Sequence, residues 1–144
     1  MNVALVTGSC GLVGSESSIF FSKKGFKIIG IDNNSRKSFF GKDGDITWVK
    51  KKLKKELKSY THYNSDIRNY LVLEKIFKKY KNKIKVIIHA AAQPSHDWAK
   101  KKPFIDFHIN ARATLNLLEL TKIYCPNVPF IFMSTNKVYG DNPN

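Results

Sequence analysis

The first candidate for a functional site in this sequence is a glycine-rich segment, Thr7 to Gly14, with the sequence TGSCGLVG. Its glycines are spaced Gly-x-x-Gly-x-x-Gly rather than in the Gly-x-Gly-x-x-Gly pattern of the best-known dinucleotide fingerprint. Glycine allows backbone angles closed to other residues and lets a phosphate approach the main chain. A helix after such a turn presents free N–H groups and partial positive charge to a pyrophosphate. The segment is a candidate phosphate-binding turn, with a tight turn that binds nothing as the alternative.

Asp32 is the second candidate, because it ends the next apolar run at the expected distance after the glycines. A carboxylate there can accept both ribose hydroxyls and repel a 2′-phosphate, which favours NAD over NADP. Arg36 weakens this preference, since arginine can hold a phosphate. Alternatively, Asp32 is only a turn residue beside Asn33.

Two further candidates follow later apolar runs. Asp66 could accept a hydrogen bond from an adenine amino group while Ile67 packs on the ring, although an aspartate there could instead cap a helix. The alanines at 90–92 would let a cofactor lie against the backbone, or they are plain core packing. Four such features in order predict a dinucleotide site. The predicted cofactor-binding residues are Gly8, Cys10, Gly11, Leu12, Val13, Gly14, Asp32, Asn33, Ser35, Arg36, Asp66, Ile67, Ala90, Ala91, Ala92 and Gln93.

The elements that would position these residues follow from hydrophobic periodicity. Short apolar runs predict strands at 3–6, 26–31, 62–64, 86–89 and 130–133, and amphipathic stretches predict helices at 12–24, 47–57, 70–80 and 103–124. Residues 33–42 and 92–102 are predicted loops. This alternation predicts an α/β, doubly wound parallel sheet of Rossmann type, which binds ligands at the carboxyl ends of its strands. Helical positions expected in the core are Val13, Ile19, Phe20, Phe21, Leu71, Leu73, Ile76, Phe77, Ile109, Ala113, Leu117, Leu118 and Leu120.

Composition narrows the class of protein. A chain of 144 residues with 42% hydrophobic and 25% charged residues suits one globular domain. The net charge of +14 could mark a nucleic-acid or lipid surface, but the lysines lack interleaved aromatics, which favours a solvated face. No apolar stretch has the length of a membrane span. The two cysteines show no metal spacing and favour a reducing, cytoplasmic setting. We therefore expect no metal, nucleic acid or membrane partner.

The chain resembles a known family along essentially its whole length. The glycine spacing, Asp32, Asp66-Ile67, His89-Ala90-Ala91 and the motif Ser134-Thr135-x-x-Val138-Tyr139-Gly140 resemble the extended short-chain dehydrogenase/reductases, the NAD-dependent sugar-nucleotide epimerases and dehydratases. The stretch 93–99, QPSHDWA, is the most distinctive part of a narrower resemblance to the CDP-paratose 2-epimerases of that family. One departure is Ala113, where the family usually has glycine.

This resemblance implies a chemistry and a set of roles. A tightly held NAD would take a hydride from C2 of a nucleotide sugar, a CDP-sugar in the narrower group, and return it to the other face. Thr135 matches the family's catalytic Ser/Thr, whose hydroxyl bonds to the reacting sugar oxygen. Ser95, His96 and Asp97 are no catalytic triad, because adjacent side chains diverge. The implied substrate-binding residues are Pro94, Ser95, His96, Ser134, Thr135, Asn136 and Lys137.

The family's general base, a tyrosine followed four residues later by lysine, has no match here. Residue four after each of the six tyrosines is Asn64, Ile67, Glu74, Ile84, Val128 or Pro143. We therefore expect residues 1–144 to be the dinucleotide-binding part of a longer enzyme, with the base and the substrate domain outside this chain, and to be inactive alone. The resemblance implies that the longer enzyme can form homo-oligomers. The alternatives are another nucleotide-sugar epimerase or 4,6-dehydratase, a non-catalytic dinucleotide-binding module, and a basic nucleic-acid-binding protein.

Overall fold

The computed structural model describes residues 1–134. The strands are β1 (Val3–Thr7), β2 (Lys27–Ile31), β3 (Tyr60–Tyr63), β4 (Ile84–His89) and β5 (Phe130–Phe132). The helices are α1 (Leu12–Lys23), α2 (Ser35–Phe40), α3 (Thr47–Glu56), α4 (Tyr70–Tyr80), α5 (His96–Lys101), α6 (Pro103–Phe107) and α7 (Ala113–Tyr124). Short 3-10 turns cover Gly41–Gly44 and Lys81–Lys83, and one π-helical turn covers His108–Arg112.

The strands described within residues 1–134 form one parallel sheet in the order β3-β2-β1-β4-β5. β1 lies at its centre, with Thr7 opposite Ile31 on one side and His89 on the other. From β1 the chain runs outward through β2 to β3 and then returns to add β4 on the other side of β1. The switch point therefore lies between β1 and β4, and ligands bind at such a point in doubly wound sheets. The predicted α/β fold class is confirmed.

Both faces of the sheet are covered, which explains why its central strands are apolar at successive positions. On one face Leu5, Ile29 and Ile87 pack with the buried side chains of α4 and α7. On the other face Ala4, Val6, Ile28, Val86 and Ile88 form a separate cluster. The two cores hold the strand ends in register, so that the residues after each strand meet at one edge.

The two segments predicted as loops are instead partly helical. Residues 35–40 form α2, and the side chain of Asn33 just before it accepts a hydrogen bond from the Ser35 N–H at 3.1 Å. Residues 96–101 form α5, where the Ser95 hydroxyl accepts from the Trp98 N–H at 3.3 Å. Both helices are too short to show a periodic apolar pattern, so the loop predictions were wrong.

Several helical positions predicted to be buried are exposed. In α1, Val13 is 47% and Phe20 55% exposed, because the buried face of that helix is Gly14, Ser15 and Ser18. Small side chains there let the helix approach the sheet closely. Leu71 and Leu118 are exposed as well, whereas the buried predicted core positions of α4, α7 and the π turn are Leu73, Ile76, Phe77, Ile109, Ala113, Leu117 and Leu120.

The long predicted helix at 103–124 is confirmed, and it consists of α6, the π turn and α7, which follow one another without a gap. Pro103 begins it at the first turn, as expected for a residue without an N–H, and the π turn interrupts it in the middle. Such π insertions are frequent at functional sites. Within residues 1–134, no helix has both the length and the apolar character needed to cross a membrane.

Candidate functional site

The glycine turn after β1 is shaped by backbone constraints. Gly8 has a φ of +66° and donates its N–H to the Ile31 carbonyl at 2.8 Å, which ties the turn to the end of β2. A Cβ on Gly8 would lie 2.7 Å from the backbone nitrogen of Ala91, and a Cβ on Gly14 would overlap the carbonyl oxygen of Gly8. The space that side chains would fill is therefore used by main chain, and both positions require glycine.

The helix that follows leaves its first N–H groups available. Gly11 occupies the position before α1, and no side chain of the described residues caps that helix end. The first turn also carries no acidic side chain. An uncapped helix N-terminus at a glycine turn is suited to bind a phosphate or pyrophosphate.

Asp32 is held in place by two backbone donors. Its Oδ2 accepts from the Cys10 N–H at 3.0 Å and its Oδ1 accepts from the Asn34 N–H at 2.8 Å. The second bond is the turn contact expected of an aspartate before Asn33, and the first joins Asp32 to the glycine turn. Each carboxylate oxygen has a further lone pair, so the group can still accept ribose hydroxyls.

Asp66 is bound on both oxygens as well. Arg68 donates Nε to Oδ1 at 2.9 Å and a terminal nitrogen to Oδ2 at 2.7 Å, and Asn33 donates to Oδ2 at 3.0 Å. Partial burial opposes ionisation, but the Arg68 and Asn33 hydrogen bonds lower the pKa of Asp66. The alternative role of helix cap is wrong, because the side chain of Asn69 caps α4 by accepting from the Val72 N–H.

His89 connects the ends of β1, β4 and α7. The Thr114 hydroxyl donates to the Asn110 carbonyl, so it accepts from His89 Nε2–H at 2.9 Å. Nδ1 then accepts from the Thr7 hydroxyl at 2.7 Å, and Thr7 Oγ1 accepts from the Ala91 N–H. Burial lowers the pKa of His89 to about 4, which keeps the ring neutral. This chain of bonds fixes the backbone at the alanine run.

These elements enclose a cavity of about 320 Å³ at the carboxyl edge of the sheet, within the size range of ligand sites. It brings together the glycine turn, Asp32, Asp66 and the alanine run. The predicted cofactor residues that line it are Gly8, Gly11, Leu12, Val13, Gly14, Asp32, Asn33, Ser35, Arg36, Asp66, Ile67, Ala90, Ala91 and Ala92. The lining residues that the sequence reasoning missed as site residues are Ile31, Phe39, Ile46, Ser65 and Ile109.

Two predicted cofactor residues do not line this cavity. Cys10 is buried, and burial together with the nearby Asp32 raises the pKa of its thiol to about 11. Gln93 is 4% exposed, and its backbone and side chain bond to Asn110, Ser95 and Asp106. Gln93 therefore orders the segment after the alanine run against the π turn. The position of Pro94 in the cavity wall depends on that order.

The predicted substrate residues fall into three groups. Pro94 lines the cavity, and Ser95 caps α5. His96 and Ser134 are exposed and do not line the cavity. Thr135, Asn136 and Lys137 lie outside the described residues. Within residues 1–134, no group of three His, Cys, Asp or Glu side chains could hold a metal ion.

Comparison with known proteins places this site in a family. Residues 4–144 match the NAD dependent epimerase/dehydratase family, so the chain belongs to that family. The predicted family resemblance is confirmed, and so is NAD as the family's cofactor. The residues that form the cavity fit such a cofactor, because the helix end after the glycine turn is uncapped and the Asp32 carboxylate lines the same cavity.

Individual proteins similar to this chain are also sugar-nucleotide epimerases. CDP-paratose 2-epimerase of Salmonella typhi is 36% identical over 137 residues, which are 95% of this chain and 38% of that protein. UDP-glucose 4-epimerase of Bifidobacterium longum, solved with NAD+ and UDP, is 28% identical with a TM-score of 0.74 over 96% of this chain and 38% of that one. UDP-Glc/GlcNAc 4-epimerase of Campylobacter jejuni shares the fold, with 24% identity and a TM-score of 0.78 over 97% and 39%. The chain thus spans less than half the length of these relatives.

Proposed function

We propose that this chain is the NAD-binding part of a sugar-nucleotide epimerase that acts in the cytoplasm. The observation that carries the proposal is the meeting of the glycine turn, Asp32, Asp66 and the alanine run in one cavity. These four features are far apart in sequence, and each has a separate alternative role. Their assembly around one space of ligand size is expected of a dinucleotide site.

Different residues of the cavity would bind different parts of NAD. The turn and the first N–H groups of α1 would hold the pyrophosphate, and the fixed Asp32 carboxylate would accept the ribose hydroxyls. Ile67 would pack against the adenine, with Asp66 and its Arg68 partner beside it. NAD supplies the hydride acceptance and return that an epimerase needs. The alanine run, fixed through Thr7 and His89, would support the reactive end of the cofactor.

The proposed substrate is a CDP-linked sugar that is epimerised at C2. Its support is the 36% identity to the Salmonella enzyme and the QPSHDWA stretch, whose Gln93 and Ser95 order the wall of the cavity next to Pro94. Thr135 is proposed to orient the reacting sugar oxygen, with Ser134, Asn136 and Lys137 around it. The general base and most of the sugar site would belong to sequence beyond this chain, so the chain alone is expected to bind NAD without turnover.

Calorimetric titration of the 144-residue chain with NAD tests the binding function. Asp32→Ala should weaken binding at least about tenfold, because it removes a charged acceptor of two hydrogen bonds. Asp43→Ala is the matched control, since that aspartate is exposed and does not line the cavity. Equal affinities of the two variants would contradict the proposed site.

The substrate is tested with a polypeptide extended past Asn144 by its coding sequence. Turnover of CDP-paratose at C2, followed by proton NMR, is the expected result. Turnover of UDP-glucose or dTDP-glucose instead would indicate another epimerase or a 4,6-dehydratase. Absence of any further coding sequence, together with NAD binding, would favour a non-catalytic dinucleotide-binding module.

A further inference from the structure

The side chain of Tyr60 in β3 reaches across β2 to the glycine turn. Its hydroxyl bonds to the Ser9 hydroxyl at 3.2 Å, although β3 and β1, the strand that leads into the turn, are not neighbours in the sheet. Ser9 is fully buried and does not line the proposed NAD cavity. Tyr60 does not line it either, so the two hydroxyls meet outside the cavity wall.

Gly30 in β2 makes this contact possible. A Cβ at position 30 would lie 2.5 Å from the Tyr60 hydroxyl oxygen and 2.6 Å from the Ser9 hydroxyl oxygen. The φ of Gly30 is not positive, so its backbone conformation does not require glycine. A glycine inside a strand often marks a place where another group approaches closely. Here the missing side chain leaves the space in which the two hydroxyls meet.

His62, two residues further along β3, holds the Tyr60 hydroxyl as well. Its Nδ1 bonds to that hydroxyl at 3.0 Å. Burial raises the pKa of Tyr60 and lowers the pKa of His62, so a phenol and a neutral imidazole are the forms present near neutral pH. A phenol has one proton, so Tyr60 donates to one of its two partners and accepts from the other. Ser9, Tyr60 and His62 thus form one chain of hydrogen bonds.

The residues on either side of Ser9 shape the cofactor site. Gly8 lines the cavity, and the Cys10 N–H donates to Asp32 Oδ2 at 3.0 Å. A rotation of the backbone at Ser9 would change both the path of the turn and the direction of that N–H. The Ser9 N–H itself reaches the Ile31 carbonyl at 3.4 Å, a longer contact than the bond from its side chain to Tyr60.

We propose that Tyr60 is a positioning residue for NAD binding. Its hydroxyl holds Ser9, and through Ser9 it fixes the glycine turn and the Cys10 N–H that orients the Asp32 carboxylate. His62 fixes the Tyr60 hydroxyl in turn. The inference rests on the proposed NAD-binding function and adds to it residues that do not line the cavity in which NAD would lie.

The Tyr60 ring also packs against the apolar clusters that contain Ile28 and Leu53, so its hydroxyl must be tested apart from its ring. Tyr60→Phe keeps the ring and removes the hydroxyl. Tyr63→Phe is the matched control, because Tyr63 lies in the same strand and its hydroxyl bonds to the Tyr80 hydroxyl at the same distance, 3.2 Å, in the core on the other face of the sheet.

Titration with NAD should show binding about fivefold weaker in Tyr60→Phe, as expected for the loss of one hydrogen bond, and within about twofold of the unchanged chain in Tyr63→Phe. Urea unfolding of both variants separates this loss from a general loss of stability. A purely structural role of Tyr60 would lower the stability and leave the NAD affinity of the folded protein unchanged.

Two further comparisons test the route through Ser9 and His62. Ser9→Ala should weaken NAD binding by the same factor as Tyr60→Phe, and the double variant should be no weaker, because the same bond is lost. Ser9→Ala also removes that bond if Tyr60→Phe does not fold. His62→Leu should weaken NAD binding, whereas His62→Asn, whose amide can take the place of Nδ1, should restore it.

Amide NMR reports the position of the turn without NAD. The amide resonances of Ser9 and Cys10 should shift in Tyr60→Phe and stay in place in Tyr63→Phe. Unshifted resonances, equal NAD affinities of the two tyrosine variants, or additive losses in the double variant would each overturn the inference. If the unchanged chain does not bind NAD, the proposed function fails, and the amide shifts still decide whether Tyr60 positions the turn.

Discussion

The glycine turn and α2 border the same cavity, and α5 packs against α2 beside it, yet the turn and these two short helices are held by different kinds of force. The turn at residues 8–14 is fixed by its own backbone, through a positive φ at Gly8 and the close approach of Gly14 to it. The helices are fixed by contacts between distant segments. The rings of Phe39 in α2 and Trp98 in α5 meet edge to face with centroids 5.0 Å apart.

This difference predicts which substitutions should lower stability and NAD binding most. A constraint carried by the backbone leaves no room for relaxation, because every neighbour of the missing Cβ is main chain. When a contact between two side chains at the surface is removed, the protein loses only the packing energy of that contact. The predictions below test this contrast, from the largest expected effect to the smallest.

Gly14→Ala should have the largest effect. The new methyl group would overlap the carbonyl group of Gly8, so the turn must open, at a cost of about 3 kcal/mol or more. Urea unfolding measures the stability, and NAD titration measures the loss of binding. Gly25→Ala is the control: Gly25 has a positive φ, +83°, which Gly14 lacks, but its Cβ would meet nothing within 4 Å. It should cost only roughly 1 kcal/mol, and equal costs for the two variants would refute the role of close approach.

Acid should destabilise the protein through His89, which is 2% exposed. Its pKa is about 4 when folded and 6.5 ordinarily, so between these values the unfolded chain binds the proton that the folded chain excludes. The stabilisation is complete above pH 6.5 and is lost as the pH falls towards 4, by up to roughly 3 kcal/mol.

Urea unfolding at several pH values across that window measures the slope. His89→Gln should lower the stability at neutral pH but flatten its fall in acid, since the titrating ring is gone. His96→Gln, at an exposed histidine, should keep the full slope. A His89→Gln slope identical to that of the unchanged chain would show that other groups cause the acid sensitivity.

The same contrast explains how much could be predicted from the sequence. The strands and the turn were found because their signals are local: consecutive apolar residues for a strand covered on both faces, and glycines where no Cβ fits. Phe39 was missed as a site residue because its place in the cavity depends on α2 and on Trp98, 59 positions away. The roles of Gln93 and His89 depend likewise on partners in other elements, Asn110 and Thr114.

Trp98→Ala should have a moderate effect, because it removes the aromatic contact that joins α2 to α5. An aromatic pair contributes about 0.5–1.5 kcal/mol beyond its buried area, so the stability should fall by about 1 kcal/mol. NAD should dissociate a few times faster in stopped-flow measurements, since Phe39 lines the cavity. Trp48→Ala removes the same side chain at a position that is 66% exposed and should change both quantities little. Equal effects of the two tryptophan variants would show that the contact does not support the cavity.

Phe20→Ala should have the smallest effect, although periodicity placed this residue in the core. The ring is 55% exposed and is held by an edge-to-face contact with Phe21 and by Lys24 above it at 5.7 Å. Such surface contacts contribute at most about 1 kcal/mol, whereas Phe77→Ala, at a fully buried ring, should cost about 3–5 kcal/mol in the same unfolding experiment. A large loss in Phe20→Ala would mean that α1 buries its phenylalanines and not its small residues. That outcome would also remove the reason for the close approach of α1 at Gly14, on which the shape of the glycine turn depends.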